Sequence, residues 1–337
     1  MKGDLSAMIR IAKLSFWHVH AWEYTGYANE HPGTQITVVW DEVPSRGQEA
    51  ADKLGVPFVS SLDEVLARED VDAVIVDAPT TMHAEVMVKA AKAGKHIFTE
   101  KVIAPTAAEL DEILKAVQEA GVKLTVSLPR LNDGYTTAIR EVLEQGLLGK
   151  LTLVRVRLAH DGALANWLPE HFYSAEQTAG GALIDLGCHP MYLTRLFLGG
   201  MPESLTATYG HVTGREVEDN AVAVLSYADG AIGVVEAGFA SKHSPFQIEL
   251  FGTEGTLLYG NPDDVISVRS TKLEEQWKEI PLGTKLPNAF SQWVGHIENG
   301  TEGEENIALA SDLTRLMEAA NRSAAEGKRI DLAGAAQ

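Results

Sequence analysis

The chain has 337 residues, which is long for a single hydrophobic core and suits two domains of the usual size. Its 28 basic and 47 acidic residues give a formal net charge of -19, so we expect neither nucleic acid nor an anionic membrane surface as a partner. The single cysteine, Cys188, excludes an intrachain disulfide and indicates a reducing, cytoplasmic location.

The first part of the chain, from Ile9 to about Ser127, alternates strand and helix patterns. Helical segments such as SRGQEAADKLG, HAEVMVKAAKAG and AAELDEILKAVQEAG lie between the apolar runs IRIAKL, QITVVWD, DAVIVDAP, HIFTE and KLTVSL. Strands that are apolar on both faces and alternate with helices indicate right-handed βαβ units and a parallel sheet. We predict an α/β Rossmann domain with a doubly wound parallel sheet over residues 1–128.

The turn after the first strand is unusual for such a domain. The sequence continues LSFWHVHAWEY, with Phe16, Trp17, His18 and His20 where glycines would let a pyrophosphate approach. The following helix would still offer its N–H groups and dipole to a phosphate. His18 and His20 have two interpretations: they line a nicotinamide pocket or bind a phosphate, or they fill a roomier turn.

Charged residues follow two further strands of this half. Asp41 comes directly after ITVVW, where an acidic side chain binds adenosine ribose hydroxyls and favours NAD over NADP; capping of the next helix is the alternative. Because Arg46 follows a few residues later, NADP is not excluded as the cofactor. Glu100 and Lys101 follow HIFT at the edge where open α/β sheets bind ligands, so Lys101 could act on a substrate hydroxyl. A surface ion pair is the other interpretation.

The second part of the chain, from about Leu151, shows consecutive strands with hairpin-like turns. These strands are LTLVRVRLAH, SLTATYG, AVAVLSY, AIGVVEAGF and FQIELFG, and helices are expected near Asp185 to Leu198 and Ile307 to Ala325. Such a pattern predicts an α+β domain with a large, mostly antiparallel open sheet over residues 129–337.

The stretch GGALIDLGCHP carries the strongest chemical signal of this half. Asp185 and His189 are four residues apart, so on a helical or near-helical segment they share one face. His189 suits proton removal from an alcohol with Asp185 orienting it, and a structural histidine is the alternative. Pro190 is expected at the first position of a helix.

Several other polar and aromatic residues have two interpretations each. Trp167 and Tyr173 stack on a sugar ring or pack in a core, and Arg130 contacts an anionic substrate or caps a helix. The spacings of the remaining candidate ligands match no familiar zinc pattern, so we expect no metal; these candidates are His160, Glu170, His171 and His189.

Taken in order, three segments resemble the Gfo/Idh/MocA oxidoreductase family: DAVIVDAPTTMHAEVMVKAAKAGKHIFTEKV, GGALIDLGCH and LFGTEGTLLY. The resemblance extends from Ile9 to about Leu332. It implies hydride transfer between nicotinamide and a carbinol carbon of a sugar, sugar derivative or cyclitol. In the implied mechanism His189 takes the hydroxyl proton, Lys101 polarises the oxygen and Asp185 positions the pair.

The same resemblance implies the binding residues and the assembly. The cofactor is NAD, with NADP not excluded, and the second domain binds the substrate and forms a homodimer or homotetramer. The residues themselves suggest the other candidates. Candidate substrate contacts are His20, Arg130, Trp167 and Tyr173. Candidate cofactor contacts are Ser15, Phe16, Trp17, His18 and Asp41, to which the resemblance adds Pro79, Thr80, His83, Glu100 and Lys101.

Three departures from the family pattern stand out. The proline after Glu-Lys is Val102, and the position three after His189, often aspartate in the family, is Tyr192. The three fingerprint glycines correspond to Ser15, Trp17 and His20. Two other functions therefore stay open: redox-assisted glycoside cleavage on the same fold, and a non-catalytic sugar- or nucleotide-sensing regulator.

Overall fold

The computed structural model describes residues 8–260 and 263–332 and groups the chain into two compact units. The first unit holds the residues up to Ser127 together with Pro287–Ser311, and the second holds Leu128–Leu286 and the residues from Asp312 onward. The sequence-based boundary at residue 128 did not include the segment 287–311 in the first unit.

The first unit is built on a five-stranded parallel sheet in the order β2-β1-β3-β4-β5. Its strands are β1 (Ile9–Leu14), β2 (Thr34–Trp40), β3 (Ala73–Val76), β4 (His96–Thr99) and β5 (Leu124–Val126). The helices are α1 (Ala21–Glu30), α2 (Pro44–Leu54), α3 (Leu62–Leu66), α4 (His83–Lys92), α5 (Ala107–Ala120) and, later in the chain, α11 (Ala289–Asn299). The predicted doubly wound parallel sheet is confirmed.

Segment 287–311 joins the first unit because its apolar side chains complete that core. Phe290 and Trp293 of α11 are fully buried among residues of β1, β3 and β4, and the Phe290 ring meets Phe98 edge-on with 5.5 Å between centroids. The Asn306 side chain accepts the Val126 N–H at 2.9 Å and donates to the Val126 carbonyl at 2.8 Å. It thereby satisfies backbone groups of the edge strand β5.

The second unit contains a nine-stranded sheet in the order β13-β12-β11-β10-β6-β9-β8-β7-β14. Its strands are β6 (Leu151–Ala159), β7 (Ser204–Gly210), β8 (Asn220–Ser226), β9 (Ile232–Gly238), β10 (Gln247–Gly252), β11 (Gly255–Gly260), β12 (Val265–Ser270), β13 (Lys278–Ile280) and β14 (Ile330–Asp331). The helices are α6 (Gly134–Glu144), α7 (Gly162–Ala165), α8 (Ala175–Thr178), α9 (Ala182–Asp185) and α10 (Cys188–Leu198); α12 (Glu304–Glu326) begins in the first unit.

Pairing in this sheet is antiparallel except between β6 and β9, which run parallel. The predicted mostly antiparallel sheet is therefore confirmed, including the β8–β9 hairpin that turns at Asp229 and Gly230. Strands β11 to β13 are additions that the sequence did not predict. Within 8–260 and 263–332, no helix has the length and apolar character to cross a membrane.

Trp293→Ala is predicted to destabilise the first unit strongly, because the buried indole fills space that the surrounding core cannot close. Removal of a fully buried aromatic side chain costs about 3–5 kcal/mol. Urea unfolding is measured once by far-UV circular dichroism and once by tryptophan fluorescence. Trp277→Ala is the matched control, since that indole is 50% exposed. Equal effects of the two substitutions would contradict the assigned core.

Candidate active site

The carboxyl edge of the first sheet is the place where the strand order reverses. β2 lies on one side of β1, whereas β3, β4 and β5 follow on the other side. Open α/β sheets bind ligands outside the carboxyl ends of the two strands at such a switch point. Here those strands are β1 and β3, which are followed by Ser15 and Asp77.

Ser15 takes over the backbone role expected of the first fingerprint glycine. Its φ is 71°, in the left-handed region that residues other than glycine seldom adopt. Its N–H donates to the Trp40 carbonyl at 2.7 Å, and its Oγ accepts the Trp17 N–H at 3.1 Å. A serine therefore makes the tight turn, and side-chain hydrogen bonds replace the freedom of a glycine.

Most amide groups of the turn are already used inside the protein. The N–H of Phe16 donates to Asp41 at 2.8 Å and that of His18 to the Asp77 carbonyl at 3.2 Å. Trp22 and Glu23, in the first turn of α1, are different: within the described chain their N–H groups have no hydrogen-bond acceptor. The arrangement fits a pyrophosphate at the start of α1, not one embedded in the turn itself.

Asp41 is buried, and all its acceptor positions are engaged. Its carboxylate accepts the Phe16 and Val43 N–H groups, each at 2.8 Å, and two bonds from the Arg46 guanidinium at 2.9 and 2.7 Å. A carboxylate offers about four such positions. Asp41 holds the backbone around the end of β2 without capping α2, and ribose hydroxyls would have to replace Arg46.

A buried ion pair lies directly beneath the turn. The side chains of Lys13 in β1 and Asp77 after β3 are both fully buried and hydrogen-bonded to each other. The Lys13 ammonium also donates to the Ser15 carbonyl at 2.7 Å and lies 4.7 Å from the centre of the Phe16 ring. Burial lowers the pKa of Lys13 and raises that of Asp77. The sequence interpretation missed this pair, whose signal is a lysine inside an otherwise apolar strand.

Glu100 is the centre of a second buried group of charges. It accepts the Tyr24 hydroxyl at 2.8 Å and the Lys101 N–H at 2.6 Å, and the His18 Nδ1 is 3.4 Å from its Oε1. Burial opposes ionisation of Glu100, but the charges of His18, Lys101 and His20 outweigh it and lower its pKa. Glu100 is therefore an anion beside Lys101.

His18, His20 and Glu100 together could also be considered as metal ligands, since one ligand atom of each lies within 4.8 Å of the others. Both Glu100 oxygens already accept hydrogen bonds, however. His20 is further engaged with Glu23 at 3.0 Å; burial disfavours the charged imidazole, but that bond and nearby Glu100 raise the pKa of His20. We therefore assign this cluster to charge stabilisation.

The loops after β3 and β4 are joined by His83. The residue is buried, its Nδ1 lies 2.9 Å from the Val102 carbonyl, and its Nε2 lies 3.1 Å from the Ala78 carbonyl. Pro79 and Thr80 begin a short 3-10 turn between these contacts, and the Lys101–Val102 peptide bond is cis. Because both ring nitrogens face backbone oxygens, His83 shapes the loop beside Lys101 and offers no nitrogen to a cofactor.

Asp185 and His189 lie in two successive helices, and the two residues between them keep right-handed helical backbone, so the segment is near-helical. Asp185 ends α9 and His189 is the second residue of α10, with Leu186 and Gly187 forming the turn between them. A Cβ on Gly187 would lie 2.6 Å from the Leu183 carbonyl oxygen, so the close packing of this segment needs glycine. Pro190 is accordingly the third residue of α10 and not its first.

The turn that precedes Asp185 is held by Glu218, a residue that the sequence interpretation did not identify. The buried carboxylate accepts the Gly181 N–H at 2.8 Å and the Leu183 N–H at 2.9 Å. A Cβ on Gly181 would lie 2.1 Å from the Glu218 carbonyl oxygen. Burial raises the pKa of Glu218 although these hydrogen bonds oppose that shift. The available signal was an acidic residue just before an apolar strand.

His189 and Arg130 are brought together through Tyr192. The Tyr192 hydroxyl lies 3.2 Å from the His189 Nδ1 and accepts the Arg130 backbone N–H at 3.0 Å. The Arg130 guanidinium donates to the Tyr135 hydroxyl at 3.2 Å and lies 4.2 Å from the centre of the Phe246 ring. In these contacts the Arg130 guanidinium does not cap a helix.

The predicted aromatic platforms have different surroundings. Tyr173 is buried, and the Arg215 guanidinium covers its ring at 3.7 Å. Trp167 is 54% exposed and hydrogen-bonded to Asp161 at 3.0 Å, so only Trp167 presents an open ring. The His160 ring centre is 4.5 Å from that of Trp167. Burial lowers the pKa of His160, and the Asp185 charge acts in the opposite direction.

The predicted site residues thus divide between the two units. Ser15, Asp41, Glu100 and Lys101 belong to the first unit, and Arg130, Asp185 and His189 belong to the second. Each group is organised by its own buried carboxylates and hydrogen bonds.

Comparison with known proteins gives a consistent family. The model of the oxidoreductase family with an NAD-binding Rossmann fold, GFO_IDH_MocA, matches residues 20–128, and the model of the GFO/IDH/MocA C-terminal domain matches residues 136–258. The 1,5-anhydro-D-fructose reductase of Ensifer adhaerens is 28% identical over 87% of this chain and 91% of that protein.

Two further similarities cover almost the whole chain. The inositol 2-dehydrogenase of Rhizobium meliloti (strain 1021) is 27% identical over 94% of this chain and 96% of that protein. The solved structure of GenD2 from gentamicin A biosynthesis, in complex with NAD, has a TM-score of 0.82 at 23% identity and covers 97% of both chains. This likeness shows that the fold is shared.

The stability of the first unit is predicted to fall on acidification through His83. Burial is the largest influence and lowers the pKa of His83, so the unfolded chain binds its proton more readily than the folded one. Stability is therefore fully present above the ordinary histidine pKa of about 6.5 and is lost as pH falls below it. Urea midpoints at pH 7 and pH 5 measure this loss.

His83→Gln should make that loss of stability smaller, because the substituted side chain does not titrate. His211→Gln is the matched control. Because the His211 side chain is exposed, this substitution should leave the loss of stability on acidification unchanged. An identical pH dependence in the wild type and in His83→Gln would contradict the assignment.

Proposed function

The chain belongs to the Gfo/Idh/MocA oxidoreductase family, and on that basis we propose that it transfers a hydride between NAD(H) and a carbinol carbon of a sugar, sugar derivative or cyclitol. One observation carries this proposal: the Glu100–Lys101 pair stands at the carboxyl edge of β4 in an NAD-binding Rossmann unit, with the Glu100 carboxylate buried. The curated relatives that reduce 1,5-anhydro-D-fructose or oxidise inositol support the substrate class.

The residues have separate tasks in this proposal. The start of α1 binds the pyrophosphate, and the backbone after β3 at Pro79 and Thr80 lines the dinucleotide. Bound NAD(H) supplies or accepts the hydride. Lys101, Asp185 and His189 act on the substrate hydroxyl in this proposal, by hydrogen bonding to its oxygen, by positioning it and by exchange of its proton.

Three features support the enzyme over a binding protein that has lost turnover. Lys101, Asp185 and His189 are all present, and a sensor needs no such set. Glu100 stays ionised beside Lys101 because neighbouring cationic groups lower its pKa. Glu218 holds the backbone ahead of Asp185 by accepting the Gly181 and Leu183 N–H groups.

We also propose a cytoplasmic homo-oligomer. The one cysteine, Cys188, is buried and forms no disulfide, which suits a reducing compartment. Strands β8 and β9 expose large apolar side chains, with Val222 42%, Val224 38% and Ile232 41% exposed. Contiguous apolar surface of this kind on a sheet favours contact with another subunit.

Lys101→Ala is predicted to bind NADH but to lose turnover by about 10²–10⁴-fold, the usual contribution of a positioned proton-transfer group. NADH binding is followed by nicotinamide fluorescence, and turnover by nicotinamide absorbance across a panel of sugars and cyclitols. Lys115→Ala is the control, since that side chain is 75% exposed on α5. Tight NADH binding without turnover on any polyol in the wild type would contradict the dehydrogenase.

Arg46→Ala is predicted to weaken NADPH binding while leaving NADH binding equal or tighter. The substitution removes the only guanidinium that contacts Asp41 among the described residues, which frees two acceptor positions for ribose hydroxyls. It also leaves the Asp41 charge to repel a 2′-phosphate. Fluorescence titration with both nucleotides checks this. Parallel loss of both affinities would show that Arg46 instead maintains the shape of the turn.

A further inference from the structure

Tyr192 replaces a frequent family aspartate beside His189 and is completely buried. The two residues are three apart on α10, with their rings 5.7 Å apart between centroids and nearly perpendicular. The Tyr192 hydroxyl and the His189 Nδ1 are 3.2 Å apart. Burial raises the pKa of Tyr192 well above its ordinary value, so this partner of the imidazole is a neutral hydroxyl where the family often has a carboxylate.

The direction of this hydrogen bond follows from the surroundings of the hydroxyl. The Arg130 backbone N–H already donates to the Tyr192 oxygen at 3.0 Å. Among the residues that the structure describes, the other hydrogen-bonding atom in contact with this hydroxyl is the His189 Nδ1. A buried O–H without an acceptor is costly, whereas Nδ1 of neutral histidine can accept. The hydroxyl hydrogen therefore points to Nδ1.

We propose that Tyr192 is a positioning residue that holds neutral His189 with its hydrogen on Nε2, so that His189 donates a hydrogen bond to the substrate oxygen and does not act as its base. An aspartate at position 192 would accept from Nδ1–H and leave Nε2 as a base. The tyrosine reverses that arrangement. This inference rests on the proposed function and changes the roles that the family resemblance implies.

The proton balance then involves Lys101. In the reducing direction Nε2–H of His189 would donate a hydrogen bond to the ketone oxygen, and bound NADH would supply the hydride of the new C–H bond. The Lys101 ammonium would give its proton to the resulting alkoxide and become the neutral amine. In the oxidising direction the neutral amine would take the hydroxyl proton, and bound NAD⁺ would accept the hydride. His189 keeps its hydrogen in both directions.

The first test needs no turnover. Ring-nitrogen chemical shifts of ¹⁵N-histidine-labelled protein, with His189 assigned by its absence in His189→Asn, report which nitrogen carries the hydrogen at a pH where the ring is neutral. We expect an unprotonated Nδ1 in the wild type and a protonated Nδ1 in Tyr192→Asp. A protonated Nδ1 in the wild type would overturn the proposal, whether or not any substrate has been found.

The second test uses turnover on the substrate that the polyol screen identifies. An asparagine amide can replace an N–H donor but not a base, so His189→Asn should retain at least about tenfold more kcat than His189→Leu, consistent with one hydrogen bond to a developing charge. Tyr192→Phe should lower kcat more than it changes KM. Equal activity of the asparagine and leucine variants would overturn the donor role.

A matched control separates these effects from general loss of packing. Tyr209→Phe removes another hydrogen-bonded hydroxyl of the second unit, which donates to Asn321 at 2.7 Å. It should leave kcat and the His189 ring shifts unchanged. Absence of turnover in the wild type would refute the proposed function alone, because the ring-nitrogen measurement still decides the role of Tyr192.

Discussion

The buried ion pair between Lys13 and Asp77 is the interaction on which the nucleotide-binding edge depends. It connects the ends of β1 and β3, and Lys13 also holds the Ser15 carbonyl at 2.7 Å. Removing one partner of such a pair costs about 3–5 kcal/mol, because the other charge stays buried. A turn that glycines usually make by conformational freedom is made here by a fixed set of charges and hydrogen bonds.

The same principle recurs wherever the site needs an exact backbone shape. Asp41 fixes the amides of Phe16 and Val43, Glu100 fixes that of Lys101, and Glu218 fixes two amides ahead of Asp185. Each carboxylate is buried and satisfied by N–H groups, an arrangement that stabilises a charge in a region of low dielectric. The backbone of these segments is thus held by buried carboxyl groups that accept hydrogen bonds from the protein's own N–H groups.

The architecture was largely predictable, because hydrophobic periodicity reports the strands directly. IRIAKL and AVAVLSY became β1 and β8 as expected. That Trp293 of α11 packs in the core of the first unit was not predictable, since a single helix pattern does not say which core buries it. Lys101 and His189 are candidates that short motifs predict, whereas Asp77 and Glu218 act through long-range contacts that no local spacing encodes.

The central claim is that a turn without glycines still binds a dinucleotide, through the start of α1. A crystal structure of the NAD⁺ complex tests it most directly. We expect pyrophosphate oxygens within hydrogen-bond distance of the Trp22 and Glu23 N–H groups, with the Lys13–Asp77 pair intact beneath Ser15. A pyrophosphate bound away from α1, or a turn rebuilt around it with that ion pair broken, would contradict the account.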